Sequence, residues 1–259
     1  MCFQLPREVI EKDVRFTEFT NILAKRKDPP YLLYLDKGFL EITLNHICNL
    51  KYMPNSIERL AVVSFDAETE REFSTIHPYI PTVTLDFSVV RNAVPEDLEN
   101  HRYVIYQLVL MMRSHIASIL SRRGISFWSM QQVTFLKELA VEDSIWTENF
   151  VSMDVEQHYP DSLLIFDTVG NDQVPIYRKL MPGWICGSTF FVRASPVTAG
   201  FFEKPFASKY TVKASYILII GGTNYDSPTV ARFLNYDVLV RCATISLRKN
   251  AAMVGFGCI

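Results

Sequence analysis

The densest group of side chains that could do chemistry lies between Tyr103 and Leu139, where Arg113 sits among apolar neighbours and Met130-Gln131-Gln132-Val133 follows an apolar stretch, Ile125 to Ser129. A guanidinium can grip phosphate oxygens through paired hydrogen bonds, or it can pair with a local carboxylate. Gln131 brings an amide that both donates and accepts, whereas Val133 has nothing to offer but a wall. Asp66 falls between an apolar run and a helical one, so its carboxylate either caps that helix or looks into a crevice. Gly183-Trp184-Ile185-Cys186-Gly187 presents an indole face that can stack on a ring or pack in a core. Asn224 and Asp226 come just before Ser227-Pro228, a helix-start signal, which leaves Asp226 either a surface acid or a reactive one.

Nucleophile and metal chemistry of the usual kinds has little footing. The five cysteines, Cys2, Cys48, Cys186, Cys242 and Cys258, form no Cys-x-x-Cys pair and no zinc spacing with histidine. Cys186 reads as a small buried hydrophobe or half of a disulfide, since no neighbouring base would make it a thiolate. His115 and His158 are isolated and read as structural. The acidic run from Glu138 to Glu148 reads as a solvated surface.

These side chains need elements to hold them. Val104, Leu108, Met111, Met112, His115, Ile119 and Leu120 recur at three-and-four spacing, which predicts a long apolar helix that Arg122-Arg123-Gly124 closes. The Ile125 strand follows, and the carboxyl end of a strand in an open α/β sheet is where ligands bind; that puts the turn from Gln131 to Thr134 at the expected site. Upstream, the pattern predicts a polar helix over Glu8 to Arg26, a strand at Tyr31 to Leu35, a helix from Phe39 to Leu50, a strand at Leu60 to Phe65, a helix after Asp66, and a strand at Val83 to Phe87. Downstream it predicts a short helix to about Leu139, strands at Ser162 to Phe166, Ser188 to Ala194 and Tyr216 to Ile220, a helix entered through Ser195-Pro196, a second helix over Thr229 to Leu234, and a strand-like tail from Tyr236 to Leu247. Such alternation predicts an α/β fold with a mostly parallel sheet covered by helices on both faces. No repeat and no Pro/Gly/Ser-rich linker divides the 259 residues, so the reading is an N-terminal helical segment over 1–30, one domain over 31–247 and a C-terminal tail over 248–259.

Composition excludes some classes of partner. A formal charge of −2 and a pI of about 6.2 give no net attraction to polyanions, so no nucleic acid is expected. No run of about 18 apolar residues is expected to span a bilayer. The N-terminus, MCFQLPREVIEKD, carries charges where a signal peptide has its apolar core, so neither signal nor anchor is expected in this sequence. No Gly-x-Gly-x-x-Gly and no P-loop points to an unrelated doubly wound enzyme.

Six stretches in order resemble the nucleotide-diphospho-sugar transferase domain family, in particular its nematode-type branch of GT-A glycosyltransferase-like proteins. They are ITLNHICNLK at Ile42 to Lys51, LAVVSFDAET at Leu60 to Thr69, MMRSHIASILSRRGISFWSMQQVTF at Met111 to Phe135, SLLIFDT at Ser162 to Thr168, GWICGSTFFVRAS at Gly183 to Ser195 and TNYDSPTVARFLN at Thr223 to Asn235.

The resemblance implies a single Rossmann-like GT-A domain that binds a UDP- or GDP-linked sugar at its strand ends and transfers the sugar to a glycan or protein acceptor in the Golgi lumen. It places Asp66, Arg113, Gln131, Val133, Trp184, Gly187 and Asn224 around the nucleotide sugar, with Asp226 as the catalytic carboxylate. In such folds an Asp-x-Asp turn after a central strand holds Mn2+ or Mg2+ against the diphosphate. The matching turn here is Gln131-Gln132-Val133, which loses about two negative charges from a site whose affinity depends on ligand charge. The resemblance therefore implies either a transferase with a degenerate metal turn, drawing on Asp167, Asn224 or Asp226 for ligands, or a catalytically silent relative that binds a nucleotide sugar or a protein partner.

Overall fold

The computed structural model describes residues 7–51, 55–92, 94–97, 101–130, 159–169, 184–203, 230–231 and 240–245. In chain order these form α1 (Arg7–Lys12), α2 (Val14–Ala24), β1 (Tyr31–Leu35), a 3-10 turn (Lys37–Phe39), α3 (Leu40–Leu50), α4 (Ser56–Arg59), β2 (Leu60–Ser64), α5 (Ala67–Ile76), β3 (Thr82–Thr84), α6 (Ser88–Asn92), α7 (His101–Arg122), β4 (Phe127–Met130), β5 (Leu164–Val169), β6 (Trp184–Val192), α8 (Pro196–Glu203), β7 (Val230–Ala231) and β8 (Val240–Ile245). The expected helix over Glu8 to Arg26 is two helices. Asp13 is extended and accepts a hydrogen bond from the Phe16 amide at 2.7 Å, so it starts a new helix instead of continuing the first.

The strands lie in the order β3-β2-β1-β4-β6-β5-β8-β7. β1 pairs in parallel with β2 and β4, β2 with β3, and β5 with β8. β6 runs antiparallel between β4 and β5, and β7 runs antiparallel to β8. This is the mixed, mostly parallel α/β architecture that the alternation of elements predicts. β1 and β2 are buried at every residue, as strands with helices on both faces must be.

Alternate side chains along each strand feed two cores. Leu32, Tyr34, Val63, Phe65 and Phe127 meet α1, α2, α7 and α8 through Ile10, Phe16, Phe19, Met112, Ile116 and Phe202. Leu33, Leu35, Val62, Trp128 and Met130 meet α3 and α5 on the other face through Leu40, Ile47 and Phe73. Cys48, in the last turn of α3, is disulfide-bonded.

α7 is the spine of the first core. Its segment Val104–Arg122 is long and apolar enough by composition to pass for a membrane span, but it is interrupted by Arg113 and His115 and most of it is buried inside the protein, as in a core helix. Gly124, at φ 74°, ends it: the Gly124 amide bonds to the Ser121 carbonyl at 3.2 Å and the Ile125 amide to the Leu120 carbonyl at 2.9 Å. Because this cap uses Ile125, β4 starts at Phe127 and not at Ile125. Residues Val230 and Ala231, expected within a helix over Thr229 to Leu234, instead form β7 against Val240 and Arg241. Strand pairing there prevails over the Ser227-Pro228 start signal, as tertiary context does over local preference.

Candidate functional site

Strand order reverses at β1: the chain moves outward from β1 to β2 and β3, then crosses through α7 to β4 on β1's other side. Such a reversal opens a crevice at the carboxyl ends of the two diverging strands. The edge in question carries the ends of β1 at Leu35, β2 at Ser64, β3 at Thr84 and β4 at Met130.

An aspartate follows each of the first three strands, and each is engaged by its own chain. Asp36 Oδ1 accepts from the Phe39 amide at 3.2 Å and starts the 3-10 turn. Asp66 has both oxygens occupied, Oδ1 by the Thr69 amide at 2.7 Å and Oδ2 by the Thr69 hydroxyl at 2.8 Å, so it caps α5. Asp86 Oδ1 accepts from the Ser88 amide at 2.9 Å. Its carboxyl is held below the usual range by hydrogen bonds from the Ser88 side chain and then the Ser88 backbone. Ser64 donates from its hydroxyl to the Asp66 carbonyl at 2.8 Å, tightening the turn out of β2.

At the crevice itself, Tyr34 of β1, Ser129 of β4 and Arg113 of α7 meet. Arg113 Nη2 donates to Ser129 Oγ at 2.8 Å, and its guanidinium carbon lies 4.7 Å from the centre of the Tyr34 ring. Burial pushes the Tyr34 phenol above its ordinary pKa, although charge and hydrogen bonding from Arg113 and a bond from Ser129 pull the other way. Tyr34 stacks on Phe65 at 6.1 Å, and Phe65 lies 5.9 Å from Phe87, so an aromatic row runs under the ends of β1, β2 and β3 to the arginine. Arg113 is half-buried, and among the described residues no carboxylate lies within ion-pair distance of it. Lys37, by contrast, is held by Glu72 and, at 3.8 Å, by Glu68; the bond to Glu72 raises its pKa first of all.

Asp66 and Arg113 are thus brought to one edge, the first as a helix cap and the second in the β1/β4 crevice. β6 runs antiparallel to β4, with Ser129 opposite Phe190, so its earlier residues Trp184 to Gly187 extend toward that same edge. There Trp184 pairs with Val169 and Cys186 with Asp167, beyond a register shift after Phe166 that brings the β5 strand end to this side too. Gln131, Val133, Asn224 and Asp226 lie outside the described residues. Tyr34, Ser129 and the aromatic row went unnoticed in the sequence. Tyr34 looks like any residue of a buried apolar run, but Ser129, a polar residue near the end of a buried strand, was an available signal.

Among the described residues, the donors at this edge do not make a site for a divalent cation. The sequence that the resemblance matches to the metal turn is Gln131-Gln132-Val133, Asp36 and Asp66 spend oxygens on helix caps, and Asp86 accepts from the Ser88 amide. Among the described residues no three His, Cys, Asp or Glu side chains converge to hold a metal.

The sequence model of one protein family, nucleotide-diphospho-sugar transferase, matches residues 55–248. Among curated proteins no significant match was found. One similar solved structure is the mannosyltransferase Ktr4p from S. cerevisiae, 10% identical, with 83% of this chain and 70% of that chain covered at a TM-score of 0.34.

Proposed function

Because the chain belongs to the nucleotide-diphospho-sugar transferase family, we propose that it binds a UDP- or GDP-linked sugar on a GT-A scaffold and transfers the sugar to a glycan or protein acceptor. The observation that carries this reading is the reversal of strand order at β1, whose crevice toward β4 is lined by a guanidinium without a carboxylate partner among the described residues. In this reading the diphosphate lies over Arg113, and Gln131 and Val133, which follow β4 in sequence, contribute to the donor site. Asp66 and Asn224 lie on the nucleotide side, and Trp184 and Gly187 on the acceptor side. Asp226 is the carboxylate offered for the reaction.

The protein's own contributions are positional. Arg113 is held at a fixed angle by Ser129 and Tyr34, so a phosphate meets a preset charge with little ordering cost. Asp66 and Asp86 anchor α5 and α6, which fixes the rim on the β2 and β3 side. A lumenal, oxidising compartment is part of the proposal, supported by the disulfide on Cys48.

A second reading, a silent relative that binds the nucleotide sugar without transferring it, draws on the missing carboxylates of the Gln131-Gln132-Val133 turn. Calorimetric titration of the purified chain with UDP- and GDP-sugars, followed by measurement of nucleoside diphosphate release in the presence of glycan acceptors, separates the two. Saturable binding with release supports transfer. Binding without release supports the silent relative, and absence of binding to every donor overturns both.

A further inference from the structure

We infer that Arg113 takes the charge-neutralising place of a divalent cation at this site, so that the nucleoside diphosphate is bound without metal; the inference rests on the nucleotide-sugar reading above. Three observations converge on it. First, the sequence that follows β4 reads Gln131-Gln132-Val133, with no carboxylate for a dication, while the aspartates after β1 and β2 cap the helices that follow and Asp86, after β3, accepts from the Ser88 amide. Second, the guanidinium lies at the carboxyl ends of β1 and β4: its partners are Tyr34, one residue before the end of β1, and Ser129, one residue before the end of β4.

Third, this guanidinium has charge to spare. Arg7, Arg15 and Arg122 all pair with glutamates, and Lys37 at the same edge is committed to Glu72 and Glu68. Arg113 instead meets a neutral hydroxyl and a phenol whose burial disfavours ionisation. The contacts to Ser129 and to the Tyr34 phenol take up part of the fork of five N–H groups and fix its plane, leaving others for phosphate oxygens. The Tyr34 ring beneath holds the cation by its face without cancelling its charge.

The test is calorimetry of the full chain against UDP and GDP, each in EDTA and in manganese, for the wild type, Arg113→Gln and Arg113→Lys. The wild type is expected to bind one of the two with the same affinity, within about twofold, in EDTA and in manganese. Arg113→Gln is expected to weaken that binding roughly tenfold or more, the scale of a lost charged hydrogen bond. Arg113→Lys, which keeps the charge but not the fork, is expected to fall between them. Should Arg113→Gln fail to fold, the lysine variant and the metal comparison on the wild type still decide. Binding that requires manganese, or a folded Arg113 variant that binds as the wild type does, overturns the inference and leaves the nucleotide-sugar reading standing. No binding of either nucleotide by the wild type under both conditions overturns the two together.

Discussion

Replacing Asp66 separates two jobs that one carboxylate could hold. The side chain occupies the cap position of α5 and satisfies two groups of the buried Thr69, its amide at 2.7 Å and its hydroxyl at 2.8 Å. Asp66→Ala removes the cap, worth about 1 kcal/mol, and leaves the Thr69 hydroxyl without its partner, worth about another 1 kcal/mol. The sum is about 2 kcal/mol. Unfolding entropy of about 2.1 cal/mol/K per residue over 259 residues comes to roughly 0.5 kcal/mol/K, so the melting temperature should fall by about 4 °C. Asp66→Asn keeps an oxygen for the Thr69 amide and presents an amide to a hydroxyl that can turn and accept, so it should melt within about 1 °C of the wild type. Differential scanning calorimetry measures both, and titration with the bound nucleotide tests the second job on the asparagine variant, whose fold is intact. Unchanged melting of Asp66→Ala would refute the capping argument, and an asparagine variant as unstable as the alanine one would show that charge, not geometry, holds α5.

Two further substitutions test the packing beneath the site. Burial holds His46 at a pKa of about 4, and burial first, then the charge of Arg7, holds His115 at about 4, against 6.5 for each when unfolded. Both folded values are depressed, so the unfolded chain takes up more protons as pH falls from 6.5 to 4; stability is full above 6.5 and declines by up to about 1.4 kcal/mol per pH unit for each histidine. Urea unfolding at pH 7, 6 and 5 should show this decline, and His46→Leu should remove about half of it; an unchanged slope would refute the assignment. Arg123 ties the end of α7 to α1 and α2 through the Glu11 carbonyl at 3.2 Å, the Thr17 hydroxyl at 3.3 Å and the Thr20 hydroxyl. Arg123→Ala should lower the unfolding free energy by about 2 kcal/mol and speed proteolytic cleavage within residues 7–24, read by denaturant titration and limited proteolysis.

What the sequence disclosed follows from how local each signal is. The stop of α7 at Arg122-Arg123-Gly124 was legible because a left-handed glycine and basic residues act within one turn. β1 and β2 were legible because a strand buried on both faces is an unbroken apolar run. The break at Asp13 was missed because one aspartate inside a polar helical pattern signals a cap only when its neighbours fold back on it. β7 was misread since a two-residue strand owes its existence to Val240 and Arg241, not to its own residues. At the site, Asp66 was singled out from its strand-end position and Arg113 from a charge on an apolar helix; the structure brings both to one edge, Asp66 as a cap. Their surroundings were not, because the contact of Tyr34 with Arg113 joins residues far apart in sequence and depends on how α7 crosses over the sheet.

The positions of charge at the β1/β4 crevice bear on how a metal and this arginine could coexist. A dication about 6 Å from a guanidinium, at the effective dielectric of about 20 that suits protein sites, is repelled by roughly 5 kcal/mol. An Asp-x-Asp turn would offset that with two anionic ligands, but Gln131-Gln132-Val133 offers none, and Asp36 and Asp66 already serve as caps. Only a diphosphate lying between them would make the two cations compatible. On the proposed reading, then, Arg113 works against a metal at this edge before nucleotide arrives, and with nucleotide bound the same guanidinium would supply the first positive charge that a metal would have brought.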